Sequence, residues 1–532
     1  MQKIFCFFLL FIGVFGFSQK TIHIKSADIT TKDELNFPGA VILLGNVFVE
    51  VDGATLQCKK ALVYGEDNFI EAVGNVILKQ GDTITQTSKY INYDGKTKQA
   101  LSWGDVMLKN KSMTLTTDTL HFDRAQQLLF YKNRGVIVDK VNKLTSVSGY
   151  YYLPIHKFTA ETDVEITHPD YLLNSKHLDY FTKTGLAYLF GKSTIKGKEA
   201  FIYGEKGFSD TNAGQSYFTK NAYILYNDRR IDADSLYYDK KRAFASASNH
   251  IKMTDTINKM VLKGNYAEYY RRVDSAFMVK KAVAITKTEK DSLYLHGDTI
   301  LLTGKPKNRI VRAYHHVKFF KEDLQGKCDS IHSNTKEGIL KMFKNPVLWT
   351  ENGQITGDLI QIKNDTLTQK VDSLKVLGNA FMIKKDTIKG FNQIKGRNMF
   401  AKFKENQIKT VDFIGNGEVL AYLREDNTKK TLFGITKTTC AKIRFEFKNK
   451  QIANGIFYND EETFTYPPSK IPENARKLKD FLWREEERPK NKDEIFVLDK
   501  IELKDVKVND SKAKDAPNLL KQNLRERKQP KG

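Results

Sequence analysis

Gly45-Asn46-Val47 returns as Gly74-Asn75-Val76 and again as Gly104-Asp105-Val106. Each triplet opens an alternating run: Val47 and Val49, Val76 and Leu78, Val106 and Leu108, with Glu50, Lys79 and Lys109 among the intervening residues. Period two is the signature of a strand with one buried and one wet face. Weaker copies follow at Val136-Ile137-Val138 and Val164-Glu165-Ile166, and a degraded one near Thr194-Ile195. Others stand at Ala222-Tyr223-Ile224, Ile251-Lys252-Met253, Val283-Ala284-Ile285, Val317-Lys318-Phe319, Val347-Leu348-Trp349, Ala380-Phe381-Met382 and Val419-Leu420-Ala421. The first steps are 29, 30, 30 and 28 residues, stretching to 34 between Val283 and Val317 and to 39 between Ala380 and Val419. Such spacing predicts stacked copies of one supersecondary unit.

A second strand fills each unit, as in Ala61-Leu62-Val63-Tyr64, Tyr90-Ile91-Asn92-Tyr93-Asp94 and Leu120-His121-Phe122-Asp123. Turn residues such as Asp94-Gly95 follow it. No unit holds a helical pattern of 10–15 residues, which argues against βαβ units. With 11 Pro against 34 Phe and 24 Tyr among 532 residues, the composition agrees with β structure. A stack of one-face-buried strands must hide a continuous apolar surface, by closing on itself or by folding one wall over another. Two splayed walls would line a groove suited to acyl chains, which gain about 0.8 kcal/mol per buried CH₂. Two packed walls would make a filled, rigid solenoid. The candidate groove-lining residues are Val47, Val49, Val76, Leu78, Val106, Leu108, Val136, Val138, Val164 and Ile166.

Both ends differ from the repeats. Lys3 precedes an apolar run from Ile4 to Phe17, too short to span a bilayer and suited to the core of a secretory signal. Small residues at Gly16 and Ser18 predict cleavage after Ser18. Export with three widely spaced cysteines left, Cys58, Cys328 and Cys440, argues against a disulfide framework. These three read as small buried residues on strands. Pro467-Pro468 ends the repeats near residue 466. Ala475, Leu478, Phe481 and Leu482 fall on one face of a helix predicted over 473–488, expected to cap the last strand or to dock a partner. Residues 495–503 are a further strand candidate, and the charged chain from about Lys504 reads as a disordered tail.

No catalytic constellation emerges. His315 and His316, as strand neighbours, would point to opposite faces and could not share a metal. Asp94, Asp123 and Asp239 stand at strand ends, where turn chemistry accounts for them. No G-x-S-x-G, H-E-x-x-H or P-loop string occurs. The reading is therefore no enzyme, no metal and no cofactor. The net charge of +23 permits anionic partners, but no nucleic-acid-binding motif accompanies it.

Leu56-x-Cys58-x-x-Ala61-x-x-Tyr64 followed by Ile70-x-Ala72-x-Gly74-Asn75-Val76 resembles the OstA/LptA repeat. The resemblance is strongest over about residues 20–140 and fades, still periodic, to about 425. It implies a periplasmic, V-shaped β-jellyroll that carries lipopolysaccharide towards the outer membrane with acyl chains in its groove and without catalytic residues. It also implies, as partners, lipopolysaccharide or a related glycolipid and inner- and outer-membrane transport components with similar jellyroll edges, with head-to-tail self-association open. The chain departs from the family in its length and in lacking the alternating aromatic strands of a following outer-membrane barrel.

The expected fold is thus all-β: an elongated V-shaped jellyroll of stacked repeats of about 30 residues, with a short α-helical and disordered C-terminal tail. The expected organisation is a signal peptide over 1–18, best-matching repeats over 19–170, divergent repeats over 171–466, and a C-terminal region over 467–532. A structural scaffold or adhesin with a filled core is the alternative to a lipid-carrying bridge. A polysaccharide-acting enzyme is disfavoured for want of a carboxylate or metal cluster.

Overall fold

A computed structural model describes residues 22–499, apart from short stretches between strands, the longest being 425–430. The signal segment 1–18 and the tail from 504 lie outside the described residues. The chain forms two compact units, residues 1–220 and 221–532. Both are antiparallel β structure, with sequence-adjacent strands joined by tight turns.

In the first unit the meander runs through Ala40–Val51, Ala54–Tyr64, Phe69–Gln80, Ile84–Asp94, Gln99–Lys109 and Met113–Asp123. Each copy of the repeat is one hairpin of two such strands. The turns are built as the sequence suggests: Asp94 accepts hydrogen bonds from the Lys96 and Thr97 amides at 2.8 and 3.1 Å, and Asp123 accepts from Gln126 at 2.9 Å. These Asp side chains satisfy the amides of the reversing chain.

Each long strand bends at its middle, and the repeated triplet is the bend. Leu44 pairs with Lys60 and Val47 with Cys58, so Gly45 and Asn46 stand opposite the single residue Lys59. Two residues against one is a β-bulge, which kinks a strand and raises its twist. Both bulge residues are left-handed: Gly74 and Asn75 have φ of 83° and 49°, Gly104 and Asp105 of 78° and 56°. Gly, Asn and Asp tolerate this region best, which explains the recurrent spelling. A Cβ on Gly74 would also lie 3.2 Å from the Lys59 side chain. The left-handed pair persists where the spelling decays, at Thr162-Asp163, Asn249-His250, His315-His316 and Gly378-Asn379.

The bend lets both halves of a strand share one core. Leu43, Ala61, Ile70, Ala72 and Ile91 before or after the bend cluster with Val47, Val49, Leu56 and Val76 beyond it. The three cysteines are buried and free, on strands as expected. Burial raises the thiol pKa to about 11 at Cys58 and about 12 at Cys328.

The second unit repeats this plan from Arg229–Asp239 to Glu462–Tyr466 and adds a strap. The predicted helix over 473–488 is not formed. The helical elements there are 3-10 turns at Glu473–Arg476 and Glu485–Glu487, and a third, Glu494–Phe496, replaces the first part of the predicted strand. The chain crosses the outer face of the sheet. Ile471 and Leu478 pack with Phe381, Ile383, Leu420, Tyr422 and Ile435, while Leu482 is 63% exposed. The apolar spacing that suggested a helix therefore serves a segment whose side chains reach a flat surface, and whose backbone bonds to itself only in single turns and otherwise to side chains of that surface. This face-covering course replaces the expected cap on the last strand. Residues 500–503 of the strand candidate lie outside the described residues.

Candidate functional site

The interior column is set by counting from the bend. Val47, Val76, Val106 and Val164, each the first residue past the left-handed pair, are buried. Val49 and Leu108 are buried two residues further on, and Leu78 packs against the same core. Ile166 pairs with buried Leu173 and takes the equivalent position.

Val136 and Val138 do not belong to this column. Gly135 pairs with Thr117 and Ile137 with Leu115, the same inward residues that face Val106 and Leu108 on their other side. Val136 and Val138 therefore point outward, and Val138 is 48% exposed. The cause is a one-residue slip, which exchanges the faces of a strand. Here the glycine of Arg134-Gly135-Val136 occupies the inward slot instead of the bend. The space is taken by Tyr131, whose ring would clash with a Cβ at either Gly135 or Gly149. Its hydroxyl shares a 2.7 Å hydrogen bond with Ser146.

The interior changes character along the first unit. Near the N-terminus it is aliphatic. Further on Gln86 donates to Ser102 within the interior, both side chains buried. Beyond these lies a gap of about 10 Å³, no larger than one water, bounded by apolar side chains, among them Leu108, Leu115, Leu120, Leu129, Ile137 and Phe158.

A second column escaped the sequence reading. On the return strands Cys58, Thr117, Ser146 and Ser175 stand just before the residue opposite the bend. Each donates to the carbonyl two residues on, at 3.2, 3.4, 2.9 and 2.9 Å. Cys328 and Cys440 do the same at 3.3 Å. The side chain satisfies a carbonyl that the bend takes out of the ladder. The signal was available as small hydrogen-bond donors recurring at the repeat spacing.

Two adjacent histidines form one of the bends. His315 and His316 are both left-handed, and their ring nitrogens lie 3.3 Å from Asp329 and 2.7 Å from Asp298. They are separated by the bend, with one carboxylate on the strand Leu324–Asn334 and the other in the link between Ser292–His296 and Thr299–Thr303, and not by simple strand alternation. Hydrogen bonding and the charge of His315, with Lys344 nearby, hold Asp329 below the usual carboxylate range against the effect of burial. His296 is buried, with Nδ1 2.6 Å from the Ala282 carbonyl oxygen. Among the described residues no group of three or more His, Cys, Asp or Glu is placed to hold a metal. Nor is any helix among them long and apolar enough to cross a membrane.

The bend spelling, the paired walls and the shared core converge on the segment that a family model matches. A family model described as OstA-like protein matches residues 19–176. Among solved structures, similarity is found to LptH of Pseudomonas aeruginosa, described as the LptA-homologous periplasmic component of the lipopolysaccharide transport device. It is 14% identical, with 27% of this chain and 96% of that chain covered and a TM-score of 0.21. No curated protein matches.

Proposed function

We propose that this chain is a non-enzymatic, periplasmic lipid bridge of the OstA type, holding the acyl chains of lipopolysaccharide or a related glycolipid between the two halves of its bent strands. The observation that carries this reading is the inward column Val47, Val76 and Val106, two residues deep at Val49, Leu78 and Leu108, inside the OstA-like segment. In this reading the signal segment directs export, and the exposed first strands His23–Ser26 and Ile29–Lys32 are candidates for pairing with transport components or with another copy.

A photo-crosslinking residue at position 76 or 108 in cells is expected to yield lipopolysaccharide adducts, and one at Lys109 is not. Leu108→Glu should reduce transport far more than Lys109→Glu. Equal adducts at 108 and 109, or two harmless substitutions, would overturn the proposal.

A second reading, a scaffold with a closed core, is favoured by Tyr131. Its ring lies across the interior against Gly135 and Gly149 and is 1% exposed. Tyr131→Ala separates the two: a bridge keeps its adducts at position 76, whereas a scaffold loses stability and never forms them.

A further inference from the structure

Three buried glutamines lie beneath the strap. Gln325, Gln354 and Gln393 are 3%, 1% and 0% exposed. Trp349 pairs with Gln325 and with Gln354, and Ile383 with Gln354 and with Gln393, so polar and apolar residues alternate across the strands on one face. Burying primary amides among Trp and Ile is costly unless every amide is satisfied.

The strap supplies that satisfaction through its backbone. Gln393 donates from Nε2 to the Arg476 carbonyl at 2.9 Å, and its Oε1 accepts the Leu478 amide at 2.8 Å. Gln354 donates to the Leu482 carbonyl at 2.7 Å and accepts the Arg484 amide at 2.7 Å. In both cases the carbonyl of one residue and the amide of the second residue after it are clamped. An extended chain presents this same pair to a neighbouring strand. Gln325 holds a side chain instead, accepting from Arg488 Nε at 2.9 Å.

Side chains supply the selectivity. Leu478 is buried, and Phe481 and Trp483 lie against Phe391 with ring centroids 5.3 and 5.0 Å apart. Further along, Lys327 contacts Glu487 at 2.8 Å and also Asp499. Lys318 reaches Asp499 and the Val497 carbonyl, each at 2.6 Å. Phe496 closes over His296. The link from this segment to the last strand runs through Pro467, Ser469 and Lys470, which are exposed. None of the clamping contacts involves that link.

We infer that the outer face of the second unit is a peptide-recognition site for a chain that presents peptide groups between single 3-10 turns and carries aromatic and aliphatic side chains followed by carboxylates, and that residues 471–499 are its ligand, supplied in cis. Backbone is read by Gln354 and Gln393, and the carboxylates by Lys318 and Lys327.

The test uses the full chain with a specific protease site placed at Ser469, cut after folding. The C-terminal fragment should remain bound, and a fluorescent peptide of residues 471–499 should exchange into the site saturably. Gln354→Ala with Gln393→Ala should weaken that binding by about tenfold or more. Leu482→Ala in the peptide, at an exposed position, should not weaken it. The proposal is overturned if the labelled peptide fails to bind a cut chain that keeps its fold, or if binding ignores both glutamines. Should the cut chain unfold, hydrogen exchange on the uncut protein decides. Gln393→Ala must speed exchange at the Leu478 amide, and Gln354→Ala at the Arg484 amide. Unchanged exchange at both overturns the inference.

Discussion

The fourth residue past the bend reads Glu50, Lys79, Lys109 and Thr167 in the first unit, and, after Leu225, Thr254 and Ile285, it reads Phe320, Trp349, Ile383 and Leu420 in the later strands of the second. The position is the same and the solvent is not. In the first unit it faces water, and Lys79, Lys109 and Thr167 are exposed. In the later strands of the second it lies on the face that the strap covers, and Trp349, Ile383 and Leu420 are at most 1% exposed. One backbone plan thus supports a wall with one buried face and a wall with two. The outer residues, not the bend, decide which is built.

The largest difference is expected from ending the chain after Tyr466. Exposure of Trp349, Phe381, Ile383 and Leu420 should cost the second unit on the order of 5 kcal/mol or more. Hydrogen exchange over 310–448 should accelerate while that over 40–210 stays as it was. Equal protection in both would show the strap to be ornamental. Next comes Phe381→Ala, expected to cost about 3–5 kcal/mol. Met107→Ala, also two residues past its bend on the uncovered wall, should cost about 1 kcal/mol or less. Similar losses at the two sites would remove the distinction between the walls.

Acid should act on the covered wall first. Although burial opposes it, hydrogen bonds and charge from Arg484 and Lys327 lower the Glu487 pKa from 4.5 to about 2. A depressed carboxylate pKa contributes stability that is complete above the unfolded value and lost as pH falls through the folded one. Strap docking should therefore hold above about pH 4.5 and weaken towards pH 2, as followed by Trp483 fluorescence. Weakening that begins near neutrality would assign the strap's hold to other groups. The smallest effects belong to the uncovered wall: Lys79→Ala and Lys109→Ala should each stay within about 0.5 kcal/mol by chemical denaturation.

This comparison also marks what the sequence made legible. The period, the all-β class and the inward column follow from Gly-Asn-Val and its alternation, because a bend demanding left-handed residues leaves a spelling. Val136 and Val138 were misplaced because Gly135 entered the inward column, and a glycine there resembles a glycine at the bend. The covered face was written as lost alternation. Phe319-Phe320, Val347-Leu348-Trp349 and Phe381-Met382-Ile383 are apolar on both faces, as strands buried on both sides are. The covering segment was harder to read, since Leu478 and Phe481 at helical spacing do not reveal that Gln354 and Gln393, about a hundred residues earlier, will bind its backbone. Nothing in the repeat spelling marks those two side chains as its partners.

The bends carry one mechanical consequence. Ladder hydrogen bonds run from strand to strand, parallel to the line along which successive left-handed pairs are aligned within a unit. Rotation about that line changes torsions at Gly74-Asn75 and its counterparts while leaving each half-strand bonded to its neighbours. The angle between the two halves of each strand is therefore fixed by backbone torsion at a few residues, and with it the packing distance across Val47, Val76 and Val106.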